Sequence, residues 1–98
     1  MKFKLKYSEE AKGQFLELEN SKERIKQYKA VAKTLGLMQI NLRHPSLNTH
    51  KFDAIESPFG GEVFESYAQN RTPGAYRIFW CYGQEREELY IIAITPHP

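Results

Sequence analysis

One cysteine, Cys81, stands in 98 residues. It cannot close an internal disulfide, so no disulfide framework holds this chain together. A reducing compartment suits such a protein. No apolar run is long enough to cross a membrane. The opening MKFKLKYSEE has no apolar core of signal-peptide length. Together these absences predict a cytoplasmic protein with no membrane partner. No glycine-rich phosphate loop occurs, and no ligand pair has the helical or knuckle spacing that binds zinc. His44, His50 and His97 are scattered, and unlinked histidines seldom converge on an ion. No metal and no cofactor are therefore expected. The net charge of +2 is too small to imply nucleic-acid binding. It permits an acidic partner only where the basic groups cluster on one face.

What remains is a folded domain. The apolar fraction of 41% and charged fraction of 27% exclude a disordered tail. The length suits one domain, 1–98, with a modest core. In KFKLKY, Phe3, Leu5 and Tyr7 alternate with Lys2, Lys4 and Lys6. Period two with one charged face predicts a half-exposed strand, and lysines of this kind mark sheet edges. Ser8 is placed to cap a helix whose first turn holds Glu9 and Glu10 and whose apolar face is Ala11, Phe15 and Leu18. Asn20 and Ser21 interrupt it. A second helix begins near Lys22 with Ile25, Tyr28, Val31, Ala32 and Leu35 on one face. Gly36 is its expected C-cap. Leu37 to Leu42 would add a short third turn before His44-Pro45, because proline disfavours helix at the preceding residue.

Pro45 to Gly61 is rich in turn formers and reads as a loop, long for so small a domain, with room for a short strand. Period two then returns. Glu62 to Gln69, Ala75 to Tyr82 and Leu89 to Ile94 read as three strands joined by NRTPG and GQEREE. The order β-α-α-β-β-β defines a small α+β domain, with a twisted antiparallel sheet packed on a two-helix hairpin.

Three positions carry possible chemistry. Cys81, mid-strand, reads as a buried small hydrophobe. Arg77 is a charge within the aromatic strand AYRIFWCY. If Tyr76, Ile78 and Trp80 point one way, Arg77, Phe79 and Cys81 point the other. Arg77 is then solvated, paired, or aimed at an anion. Antiparallel pairing of the last two strands would draw His97 toward it. His97 is either held there, stiffened by Pro96 and Pro98, or part of a frayed end. Arginine gives fixed positive charge for phosphate, and histidine gives or takes a proton near neutrality. Cleaving an RNA phosphodiester needs both. The 2′-hydroxyl must lose a proton, the phosphorane must be stabilised, and the 5′-oxygen must gain a proton.

The element order, the run Tyr76-Arg77-Ile78-Phe79-Trp80 and the later apolar YIIAI resemble the RelE/ParE superfamily of type II toxin–antitoxin toxins. The likeness is specific over Tyr76 to Pro98 and weaker over Leu47 to Phe52. It implies a metal-independent mRNA endoribonuclease, an mRNA interferase acting at the ribosome and neutralised by a cognate antitoxin. Arg77 matches the strand arginine that contacts the scissile phosphate. His97 matches the penultimate histidine that serves YoeB-like members as general acid. Lys51 matches a phosphate-binding lysine, and His50 or Glu65 would be the base. Glu62 and Glu65 depart from the RelE pattern, which has cations in that strand. The ParE branch implies the alternative: a non-enzymatic toxin that binds DNA gyrase, or an inactive toxin-like binding module.

Overall fold

In the computed structural model, which describes residues 2–97, the lysine-striped segment forms β1 (Lys4–Tyr7). Next come α1 (Glu9–Glu19), a 3-10 turn (Lys22–Arg24) and α2 (Ile25–Ile40). A second 3-10 turn (Pro45–Leu47) leads into β2 (His50–Lys51). The chain then runs through β3 (Phe64–Tyr67), β4 (Tyr76–Tyr82) and β5 (Glu88–Pro96). One sheet results, ordered β1-β5-β4-β3-β2. The α+β architecture expected from the sequence is present, with β1 at an edge. The last three strands form the antiparallel meander, and β2 adds to it antiparallel. β1 instead runs parallel to β5, which makes the sheet mixed. Its partner is reached only after both helices have crossed one face, the kind of long connection that parallel pairing requires.

Both helices cover the same face. Ala11, Leu18, Val31, Leu35 and Met38 meet Tyr76, Ile78, Trp80, Leu89, Ile91 and Ile94 there. Three helical expectations need correction. Gly36 does not end α2, and Leu37 to Leu42 is no separate turn. The helix runs on to Ile40 and is capped at Asn41, whose N–H donates to the Leu37 carbonyl at 2.7 Å. Met38 is fully buried, and the Gln39 carbonyl accepts from Phe3 N–H at 2.9 Å. Those contacts offset the roughly 1 kcal/mol cost of an interior glycine. Ile25, expected on the apolar face, is 51% exposed. Thr34 is buried in the stripe instead, its hydroxyl satisfied by the Ala30 carbonyl at 2.8 Å.

Ser8 ties the first helix to the sheet. Its Oγ accepts from Ala11 N–H at 2.9 Å and donates to the Ile92 carbonyl at 2.7 Å. Its own N–H donates to the Ile91 carbonyl. Ile92 is the extra residue of a bulge: Phe79 pairs with Ala93, but Trp80 pairs with Ile91. Ser8→Ala removes both the cap and the Ile92 bond. It should cost about 1–2 kcal/mol, read as a lowered urea midpoint with unchanged slope. A loss under a few tenths would show that the cap is idle.

Candidate functional site

The face away from the helices is shared. Phe52 packs its ring on Phe79 at 4.6 Å, and Phe59 meets Tyr90 at 5.0 Å. The segment after β2 thus folds over one end of this face. Cys81 lies buried on it, and burial pushes its thiol up, out of the reactive range. The other end carries Glu65 and Tyr67 from β3, and Arg77 and Thr95 from β4 and β5, set opposite one another by register.

His50 joins them through local backbone chemistry. The Pro45–Leu47 turn ends at Asn48, which adopts φ 46°, ψ 44°. Asparagine tolerates this left-handed conformation better than most residues. The reversal delivers His50 opposite Glu65. Behind it, the Thr49 and Ser66 hydroxyls lie 2.7 Å apart, and Ser66 accepts from the Trp80 indole at 2.8 Å.

The geometry centres on Glu65. Its carboxylate is 2% exposed. Oε2 accepts from Arg77 Nη1 at 2.7 Å, and Oε1 lies 2.5 Å from His50 Nε2. The Tyr67 hydroxyl donates to Oε1 at 3.4 Å. Burial first, then the Glu65 charge, pushes the Tyr67 phenol up, so it remains a donor. Arg77 lies mostly buried with its guanidinium 4.7 Å over the Phe79 ring. Its Nε–H is buried and has no hydrogen-bond partner among the described residues. An orphan donor of this kind costs about 1–3 kcal/mol unless something satisfies it. His50 is half exposed, and its Nδ1 lies 3.0 Å from the Asn48 carbonyl.

Of the positions singled out in the sequence, Arg77, Glu65 and His50 are therefore brought together. Arg77 is paired, not simply solvated. Glu65, which reads as a surface carboxylate in EVFESYAQ, is buried. Lys51 is not part of this cluster. Its register partner is Phe64, on the opposite sheet face from Glu65, and its ammonium pairs with Glu62 at 2.7 Å. The Glu62 hydrogen bond and charge push Lys51 up and keep it cationic. His97 is exposed, and its N–H donates to the Ala75 carbonyl at 2.8 Å. That bond extends the β4–β5 ladder beyond the Arg77–Thr95 and Tyr76–Pro96 pairs, toward the same end of the sheet. Pro96 costs the ladder nothing. Its partner Tyr76 turns its N–H and carbonyl toward β3, so position 96 needs no donor toward β4. Pro98 lies outside the described residues. Tyr67 was missed by sequence reasoning, and only its two-residue spacing from Glu65 could have placed it here.

Elsewhere, a groove of about 730 Å³ opens on the helix side between the end of α2 and the sheet, lined by Ile40, Leu42, Arg43, Phe64 and Tyr82 among others. Its lining includes neither Glu65 nor Arg77. Among the described residues, no group of three His, Cys, Asp or Glu side chains could hold a metal ion, and no helix is long and apolar enough to cross a membrane.

The sheet order, the helix pair on one face and the meander define the class: this is the fold of the RelE, ParE and YoeB toxins. The chain aligns over 98% of its length with all of a YoeB/ParE toxin from Agrobacterium tumefaciens, at TM-score 0.69 and 8% identity. It aligns over 98% with 96% of a chain of the archaeal RelE–RelB complex from Pyrococcus horikoshii OT3, at 0.64 and 10%. The YoeB dimer from Staphylococcus aureus matches over the full length of both chains, at 0.62 and 13%. Identities this low are a likeness of fold alone. No known family profile and no curated protein matches the sequence itself.

Proposed function

We propose that this chain is the toxin of a toxin–antitoxin pair and that it cleaves mRNA at the ribosome. The observation that carries the reading is Arg77. A guanidinium that is mostly buried, its side chain 14% exposed, is fixed by a buried carboxylate and stacked on an aromatic ring. A phosphate oxygen is the acceptor that this arrangement suits. In the step so assigned, the base removes the proton of the 2′-hydroxyl, and the 2′-oxygen bonds to phosphorus. Arg77 stabilises the added negative charge. The bond from phosphorus to the 5′-oxygen breaks, and His97 protonates that oxygen. His50 and Glu65 are the candidates for the base, and the chemistry needs no metal ion. Lys51 on the far face has no part in it. The RelE–RelB complex among the similar structures supports an antitoxin as partner. Exposed Ile40 and Tyr82 offer apolar surface for it.

The second reading, a gyrase-binding toxin or an inert binding module, draws on a specific feature. Both proposed cations are already countered, Arg77 by Glu65 and Lys51 by Glu62. Induced expression separates the two. The wild type should arrest growth and cut mRNA within codons being read. His97→Ala, altered only at an exposed tail position, should fold normally and cleave about 100-fold slower or less, as befits a lost general acid. Arrest with intact mRNA would favour gyrase. Normal growth with folded protein would favour the inert module.

A further inference from the structure

We propose that a cavity at the β1 edge of the sheet, apart from the Glu65–Arg77 cluster, binds the guanidinium group of an organic cation; the inference does not depend on the ribonuclease reading. The cavity measures about 320 Å³, and its walls include Lys6, Phe59, Glu85, Glu88 and Tyr90. Leu89 and Ile91 pack toward the helices, so alternation turns Glu88 and Tyr90 to the other face. There register sets Glu88 beside Lys4 and Tyr90 beside Lys6. Phe59 folds in from the long segment after β2, its ring 5.0 Å from that of Tyr90 and at 72° to it.

Glu88 sets the chemistry. It is 7% exposed, yet its carboxylate has no ion pair or hydrogen bond among the described residues. Glu65, the other buried carboxylate, is met by His50, Tyr67 and Arg77. Among the described residues the sealed side-chain polar atom without a partner is Arg77 Nε, so the Glu88 oxygens are not sealed and open onto the cavity. Gly83 makes the space for them. Its φ is not left-handed, so the backbone there does not require glycine. A Cβ at that position would overlap the Glu88 carboxylate, with Cδ only 2.8 Å away. A carboxylate so enclosed is costly to leave unpaired. It only accepts, so its partner must donate, and a cation does so best. Among the described residues no group of three His, Cys, Asp or Glu side chains is present for a metal ion, which leaves an organic cation. Guanidinium suits these walls better than ammonium. Its flat face stacks on an aromatic ring while its N–H fork meets a carboxylate. Ammonium is already at hand in Lys6, which lines the cavity without pairing with Glu85 or Glu88. On the walls themselves two carboxylates face that one ammonium, so the local charge favours a further cation.

Titration with N-acetylarginine amide, followed by backbone-amide NMR, tests it. The wild type should show saturable shifts confined to Phe59, Gln84, Glu85, Glu88 and Tyr90, with about millimolar affinity. Uncharged N-acetylglutamine amide should move nothing. Glu88→Gln keeps the shape, removes the charge, and should weaken binding about 10-fold or more. Gly83→Ala keeps every charge, displaces the carboxylate, and should weaken binding to a similar degree; it decides the matter should Glu88→Gln fail to fold. Lys6→Met should tighten binding a few-fold by removing a like charge. Amide dispersion in the same spectra reports whether each variant is folded. Tighter binding of acetyl-Gly-Arg-Gly amide than of the single-residue probe would trace the guanidinium to a protein chain, and equal binding would trace it to a small cation. Shifts that do not saturate, or that persist undiminished in either carboxylate variant, would overturn the site. So would a wild type blind to the probe beside a Lys6→Met protein that binds it, because Lys6 would then be the carboxylate's own partner.

Discussion

Arg77→Ala is expected to destabilise the fold by about 3–5 kcal/mol, the usual cost of removing one partner of a buried ion pair. The substitution strands Glu65 at 2% exposure, keeping only His50 and Tyr67 as partners. Total stabilities run about 5–15 kcal/mol, so a large share is at stake. Urea unfolding followed by the fluorescence of Trp80, the single tryptophan, would measure the loss. A change below about 1 kcal/mol would mean that the carboxylate is solvated or neutralised in some other way. The obvious loss-of-function variant of this site is thus also a folding variant, and inactivity in it would say little about chemistry. A double replacement, Arg77→Met with Glu65→Leu, should recover most of the loss, because apolar residues of similar volume often substitute for a buried pair without penalty. Stability regained in the double variant would show that the loss in Arg77→Ala comes from the stranded Glu65 carboxylate.

Trp80→Ala should cost a similar 3–5 kcal/mol by the cavity it leaves. Trp80 is 2% exposed in the centre of the helix-side core. Its ring stacks on Phe64 at 4.8 Å and 28° and meets Tyr82 edge-on at 5.3 Å. Its indole N–H donates to Ser66, which in turn contacts Thr49, the residue before His50. The loss should therefore reach the other face. Circular dichroism would follow the urea midpoint, since the fluorescent probe is gone. Hydrogen exchange at the β2 amides should rise in Trp80→Ala more than global destabilisation alone requires. Trp80→Phe keeps much of the stacking area and should lose less. Equal losses for Phe and Ala would place the energy in the Ser66 bond and not in the ring.

Much of this was legible from alternation and helical spacing. The meander, both helices, the lysine-striped edge strand and the short strand within the long loop all follow from local patterns. The parallel pairing of β1 was not legible, because partner choice for an edge strand depends on where two intervening helices deposit it. Gly36 signalled an end that Met38 and the Phe3–Gln39 bonds override. The site was half legible. Arg77 drew attention as a charge among aromatics. Glu65 could not be read as buried, since its neutralising partners come from β2 and β4 and depend on register. Lys51 shows the same limit from the other side. It follows His50 directly in sequence, yet alternation sends it across the sheet.

A strand counts its residues by twos, and Ile92 makes the count odd. Upstream of it, Leu89 and Ile91 belong to the helix side. Downstream, Ile94 returns to that side while Thr95 sits beside Arg77. The chain thereby changes phase once, at a point that Ser8 grips from the first helix. Removing Ile92 would let the strand alternate without a break, with Ile91 and Ile94 still on the helix side and Thr95 still beside Arg77. What would be lost is the carbonyl that Ser8 grips. The extra residue leaves both faces as they are, and what it supplies is an anchor: a carbonyl met by the serine at the start of α1, 84 residues away.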